Sequence, residues 1–225
     1  MKIGILQPGH IPPQMEDMGD YDAFFRRLLG GYGFDFVTYD VEAGDVPSDP
    51  HACDGWLITG SKHGAYEDHP WIAPLEALIR AIHAAGVPLI GVCFGHQIIA
   101  QALGGKVEKF AGGWSVGRKT YHIEGHDYPL NAWHQDQVVE LPEGAEVVGS
   151  SDFCRYAALS YGGTIYTVQP HPEYDGTFIG RLMEERGKGV VPQPLMDEAR
   201  THLNEPVAQK ALADRFAAVL KGEPA

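Results

Sequence analysis

Three residues in this chain combine type and spacing for nucleophilic chemistry: Cys93, His171 and Glu173. Cys93 stands in Gly91-Val92-Cys93-Phe94-Gly95, the Gly-x-nucleophile-x-Gly spacing of a strand-to-helix elbow, with sulfur in place of oxygen. A sharp turn there would lift the thiol out of a sheet, and small neighbours would let a substrate approach it. The helix start behind it offers free backbone N–H groups and a positive dipole end, which favour a negatively charged sulfur. A cysteine nucleophile needs a base, and the base needs an orienting group. His171 is the best placed of 11 histidines, because Pro170 and Pro172 hold its backbone on either side. Glu173 follows two residues on, and in extended chain residues i and i+2 point the same way, so its carboxylate can reach the imidazole.

These residues need a scaffold, and the chain around them predicts one. Val87 to Val92 is a short apolar run and reads as a buried strand. Phe94, Ile98, Ile99, Ala102 and Leu103 fall on helical spacing, and Gly104-Gly105 stops that helix. Upstream, strands are expected over Lys2–Leu6, Phe34–Tyr39 and Gly55–Thr59, with helices over Tyr21–Leu29 and Trp71–Ala85 and a loop over His10–Asp20. This alternation implies a parallel sheet covered on both faces, a three-layer doubly wound α/β fold. In such sheets the ligand crevice lies at the carboxyl ends of the strands, where Gly60-Ser61 and Cys93 both fall.

After Gly105 the texture changes to short strand-like runs over Lys106–Phe110, Ser115–Ile123, Val138–Leu141, Ala145–Gly149, Arg155–Tyr161 and Thr164–Gln169. They predict an antiparallel extension leading back to the main sheet. Helices are expected over Phe178–Arg186, Leu195–Leu203 and Val207–Leu220, the last with an apolar face at Phe216, Val219 and Leu220. There is no repeat and no clear linker. A single domain over 1–225 is expected, with a catalytic core of about 1–180 and a helical C-terminal extension of about 181–225.

Composition narrows the classes. The net charge of −13, from 30 acidic and 17 basic residues with no Lys/Arg cluster, argues against a nucleic-acid partner. The three cysteines are far apart and form no CxxC pair, so neither a disulfide scaffold nor a zinc site is expected and a reducing, cytoplasmic setting fits. Cys53 and Cys154 read as core or surface thiols, and Trp114 and Trp133 as either core or active-site mouth. The first residues are too short in apolar length for a leader, and no run is long enough to span a membrane. His122, His126 and His134 match no zinc spacing, so no metal and no cofactor are expected.

Four blocks in order now carry a resemblance: Thr59-Gly60-Ser61, Gly91-Val92-Cys93-Phe94-Gly95-His96-Gln97, Trp133-His134-Gln135-Asp136-Gln137-Val138 and Gln169-Pro170-His171-Pro172-Glu173. Over about residues 1–180 the chain resembles a class I glutamine amidotransferase domain, the type that forms the glutaminase half of GMP synthase. The resemblance implies a flavodoxin-like core and a Cys-His-Glu triad of Cys93, His171 and Glu173. The thiolate would attack a γ-glutamyl carbonyl, with the backbone N–H groups of Gly60 and Phe94 holding the oxyanion; the Phe94 donor also follows from the elbow alone. By the same resemblance Gln97, His134 and Gln135 contact the substrate, while His96 reads equally as structural.

The loop Gly60-Ser61-Lys62-His63-Gly64-Ala65 departs from the usual Gly-Gly-Pro, and no synthetase domain is expected after residue 225. The segments Thr59–Ile72 and Cys93–Ile99 are also similar to free-standing plant γ-glutamyl peptidases. The resemblance thus implies hydrolysis of the γ-glutamyl amide bond of glutamine or of another γ-glutamyl compound. A glutaminase subunit feeding a separate synthetase partner, and a non-catalytic binding protein on the same fold, are the alternatives. The substrate is a small molecule in each case.

Overall fold

The central strands of this chain are short apolar runs buried on both faces, and glycines mark several of the turns into helices. The computed structural model describes all residues 1–225. The first half alternates β1 (Lys2–Gln7), α1 (Tyr21–Leu28), β2 (Asp35–Asp40), β3 (Gly55–Ile58), α2 (Ile72–Ala85), β4 (Leu89–Val92) and α3 (Phe94–Ala102). The second half holds β5 (Lys106–Lys109), β6 (Ser115–Ile123), β7 (His126–His134), β8 (Asp136–Glu140), β9 (Ala145–Ser150), β10 (Ala158–Tyr161) and β11 (Ile165–Val168). Three helices close the chain: α4 (Gly176–Leu182), α5 (Gln193–Thr201) and α6 (Gln209–Leu220).

Nine strands form one sheet in the order β2-β1-β3-β4-β11-β10-β9-β6-β7. β2, β1, β3, β4 and β11 run parallel, and from β11 onward every pairing is antiparallel. The expected doubly wound sheet with an antiparallel extension is therefore present. β11 returns beside β4, with Val168 opposite Val92, and so brings the two halves of the chemistry to neighbouring strand ends.

Alternation along the strands builds two cores. Trp56, Ile58 and Leu89 pack on one face against Leu75, Leu78, Ile79 and Ile82 of α2 and Ile98 and Ile99 of α3. Ile3, Ile5, Leu57, Ile90 and Val92 pack on the other against Phe25 of α1 and Leu212, Phe216, Val219 and Leu220 of α6. The i, i+3, i+4 spacing on α2 places its apolar residues on one stripe, and Gly86 ends it in the left-handed conformation at φ 66°. Phe216 is wholly buried, so cutting it back to Ala would cost about 3–5 kcal/mol.

Three details differ from the sequence expectation. Residues 13–18 of the expected loop form a 3₁₀ helix whose Met15 is buried. β5 does not join the main sheet but pairs with β8 in a two-stranded ladder. Gly105 allows this, since a Cβ there would sit 2.7 Å from the carbonyl oxygen of Glu140. β7 was not expected as a strand at all. Its Pro129 weakens the strand signal, but β7 is the sheet's edge, where proline is tolerated. Glu124 (φ 50°) and Gly125 (φ 82°) form the two-residue turn from β6 into β7. No helix is long and apolar enough to cross a membrane.

Candidate active site

The site begins at the junction of β4 and α3. Cys93 caps the helix with φ 53° and ψ −103°, a backbone state rare for a residue with a side chain and costing on the order of 1–3 kcal/mol. Its own N–H is held by Val168 O at 2.9 Å, which fixes the turn against β11. The flanking glycines are required by packing as much as by access. A Cβ at Gly91 would lie 2.6 Å from Ile99 Cδ1, and one at Gly95 would overlap the carbonyl oxygen of Ile58. Phe94 is the first residue of α3, so its N–H has no intrahelical acceptor. Gly60 lies just beyond β3; a Cβ there would stand 3.1 Å from His171 Cε1 and 3.8 Å from the Cys93 Cβ.

The imidazole comes from the segment after β11. His171 N–H donates to Asn131 O at 2.8 Å, and the Asn131 side-chain amide donates to Tyr174 O at 2.9 Å, so β7 pins this segment from the side. Nδ1 of His171 lies 2.7 Å from Oε1 of Glu173, with the two side chains 3% and 1% exposed. The ring of Tyr174 stacks on the imidazole, centroids 4.0 Å apart. Burial alone would lower the His171 pKa, but the Glu173 carboxylate and the Cys93 sulfur outweigh it and push it up to about 10. The charged form of the ring is thereby favoured. Nδ1–H donates to Glu173, which leaves Nε2–H for the cleft.

Cys93 and His171 line one cleft of about 280 Å³ together with Gln97, His134, Gln135, Trp114 and Trp133. The two tryptophans thus reach the mouth of the cleft. His134 is buried, and its Nδ1–H donates to Asp136 O at 3.3 Å. Burial first, and the charge of His171 second, push its pKa down to about 3. It is a neutral ring whose Nε2 has no partner and can accept a proton donor. Gln97 reaches the cleft differently from the expectation: its amide nitrogen already donates to Asp136 O at 2.9 Å and Gln169 Oε1 at 3.1 Å. Only its carbonyl oxygen is left for a ligand. The Gln135 amide touches Phe110 O at 3.4 Å and faces the same space.

His96 takes the structural option, wholly buried with Nδ1 2.8 Å from the Thr167 hydroxyl. Cys53 and Cys154 are buried thiols. His122 pairs with Asp127 on the exposed end of the β6–β7 hairpin, next to His126, whereas His134 is buried at the opposite end of β7. Those three histidines do not meet.

Sequence reasoning missed Tyr174, Tyr21 and Arg186, all on the cleft wall. Tyr174 follows Glu173 directly, but nothing in the sequence shows which way its ring turns. Tyr21 reaches the same cleft wall from a helix some 150 residues away, a neighbourhood that only the fold creates.

The profile of the family "Glutamine amidotransferase class-I" matches residues 30–187. Gamma-glutamyl peptidase 3 of Arabidopsis thaliana is 28% identical over 215 residues, covering 88% of this chain and 85% of that protein. Gamma-glutamyl peptidase 4 of the same plant is 33% identical over 173 residues, covering 70% and 69%. The glutamine-hydrolyzing GMP synthase of Azoarcus sp. is 35% identical over 150 residues, 59% of this chain and 28% of that protein. Among solved structures, a glutamine amidotransferase from Methylobacillus flagellatus superposes with a TM-score of 0.76 at 23% identity, covering 97% of this chain and 92% of that one.

Proposed function

This chain belongs to the class I glutamine amidotransferase family, and we propose that it hydrolyses γ-glutamyl amide bonds through a thioester on Cys93. One observation carries the reading. A strained elbow cysteine shares a cleft with a buried imidazole whose far nitrogen is held by a buried carboxylate.

The steps follow from those groups. The sulfur of Cys93, its proton passed to His171 Nε2, attacks the γ-glutamyl carbonyl carbon, and the carbonyl electron pair moves onto oxygen. Phe94 N–H and Gly60 N–H are the donors for that oxyanion; losing one such donor typically costs about 3–4 kcal/mol of transition-state stabilisation. The tetrahedral species collapses by breaking the C–N bond as His171 Nε2–H protonates the leaving nitrogen. Ammonia or an amine departs. The now neutral His171 takes a proton from water, the hydroxide attacks the thioester, and the C–S bond breaks to release glutamate. Glu173 holds the ring orientation throughout and stabilises its charged form.

For the glutamyl moiety, the neutral His134 Nε2 is an acceptor suited to the α-ammonium group. Gln135 and the Gln97 carbonyl supply further polar contacts, and the cations Arg186 and Lys109 on the cleft wall suit the α-carboxylate. In this reading residues 1–225 act as one unit, because α6 completes the core under the parallel strands.

The peptidase relatives align with this chain over most of their length, whereas the GMP synthase aligns over a minor part of its own. That supports a free-standing hydrolase over the second reading, a glutaminase subunit that hands ammonia to a synthetase. Steady-state assays of glutamine and a set of γ-glutamyl dipeptides, with no other protein present, separate the two. Turnover of dipeptides supports the first; turnover of glutamine alone, rising only with an added synthetase, supports the second.

A further inference from the structure

The loop between β3 and α2 carries a cluster that the catalytic reading does not use. Nδ1 of His63, Nε2 of His69 and a carboxylate oxygen of Glu67 all lie within 4.8 Å of one another. Glu67 Oε2 stands 3.4 Å from His63 Nδ1 and hydrogen-bonds His69 Nε2 at 2.7 Å, so the three candidate ligand atoms share one small space, in which a cation would take the place of the bridging proton. Two imidazole nitrogens and one carboxylate oxygen are the ligand set of a zinc-class cation with a position left open.

The surroundings are those of a built site. The other nitrogen of His63, Nε2, bonds Glu42 Oε1 at 3.0 Å, the outer carboxylate that typically orients a metal-bound imidazole. His69 stacks on Trp71 at 5.3 Å with planes 4° apart, which fixes its ring. The loop itself is tied down: Ser61 Oγ donates to Pro8 O at 2.7 Å and accepts from His63 N–H at 3.1 Å. Tyr66 donates to Asp136 at 3.1 Å. Lys62, 3.0 Å from Glu42, is the one close cation, and it faces the outer carboxylate rather than the three converging atoms.

We infer that His63, Glu67 and His69 form a binding site for Zn²⁺ or a similar divalent transition cation, with Glu42 orienting His63. His63 and Glu67 also line the cleft that holds Cys93, so the cation sits at its rim, separate from the nucleophile. The inference stands on this cluster alone and is independent of the proposed reaction.

The test uses tag-free full-length chain carrying Cys93→Ser, which removes the competing thiolate. Calorimetric titration with Zn²⁺ at pH 7.5 should show one ion per chain, and Mg²⁺, which prefers oxygen ligands, should give no heat. Co²⁺ should give visible bands of a site with nitrogen and oxygen ligands and no sulfur charge-transfer band. His69→Ala, and Glu67→Gln as an isosteric change at an exposed side chain, should each weaken Zn²⁺ binding at least ~10-fold, and Glu42→Gln by roughly 10–100-fold. Absence of Zn²⁺ binding by the folded parent chain, or unchanged affinity in both His69→Ala and Glu67→Gln, overturns the site.

Discussion

His171 and Tyr174 lie face to face, their ring centroids 4.0 Å apart and their planes 8° from parallel. The imidazole is thus held at Nδ1 by Glu173 and on one face by the phenol, while the backbone bond to Asn131 pins the segment that carries it. A phenol ring stacked on an imidazolium stabilises the charged form, because the ring face carries negative charge density. Tyr174 is therefore a positioning residue for the base.

Tyr174→Phe keeps the stack and loses only the phenol hydroxyl. It should retain most activity and leave the pH profile in place. Tyr174→Leu removes the stack and should lower kcat about 2- to 10-fold. It should also move the upper limb of the kcat/KM profile to lower pH, since the imidazolium loses a stabilising partner. A purely structural role would leave that limb unmoved.

Glu173→Gln tests the carboxylate. The amide preserves shape but not charge, and kcat should fall roughly 10²–10⁴-fold with little change in KM. The same substitution has a signature in stability. The folded pKa of His171 is raised from 6.5 to about 10, so its contribution to stability is fully present below 6.5 and is lost as pH rises through 10. Urea unfolding across that interval should show stability from this group declining with pH. In Glu173→Gln the decline should be shallower, because the main partner that raises the pKa is gone.

Gly60→Ala tests the close approach beside the base. Its Cβ would press on His171 Cε1 at 3.1 Å. Displacing the ring by a fraction of an ångström, together with the Gly60 N–H, should lower kcat by about 10²-fold. Thermal unfolding should fall only modestly, since the buried methyl group meets one tight neighbour, the edge of the His171 ring.

Gly95→Ala tests the elbow as architecture. The added methyl group would meet the backbone oxygen of Ile58 in β3, an atom that cannot rotate away. Destabilisation of roughly 1–3 kcal/mol is expected, read as a lower thermal midpoint, with activity lost in proportion to the displacement of Cys93.

The parallel half of the fold was legible because β1, β3, β4 and β11 are apolar runs buried almost throughout and glycines punctuate the crossings. The three triad candidates were legible because they lie in two short local patterns, Gly-x-Cys-x-Gly and Pro-His-Pro-Glu. What escaped depended on distance. β7 hid behind Pro129 and a Glu124-Gly125 turn, and its status as an edge follows only from the assembled sheet. The spent amide of Gln97 could not be foreseen, since its partners Asp136 and Gln169 come from other elements. The His63, Glu67 and His69 cluster is local in sequence, but its convergence is a loop conformation that spacing alone does not specify.

The central claim is a covalent intermediate at one sulfur. The direct test is intact-protein and peptide mass spectrometry after rapid acid quench of the chain mixed with glutamine or γ-glutamyl dipeptides. A γ-glutamyl adduct on the peptide carrying Cys93, absent in Cys93→Ser, is the predicted result. Hydrolysis of a γ-glutamyl substrate that proceeds at the parent rate in Cys93→Ser, with no adduct at position 93 in the parent, would contradict it.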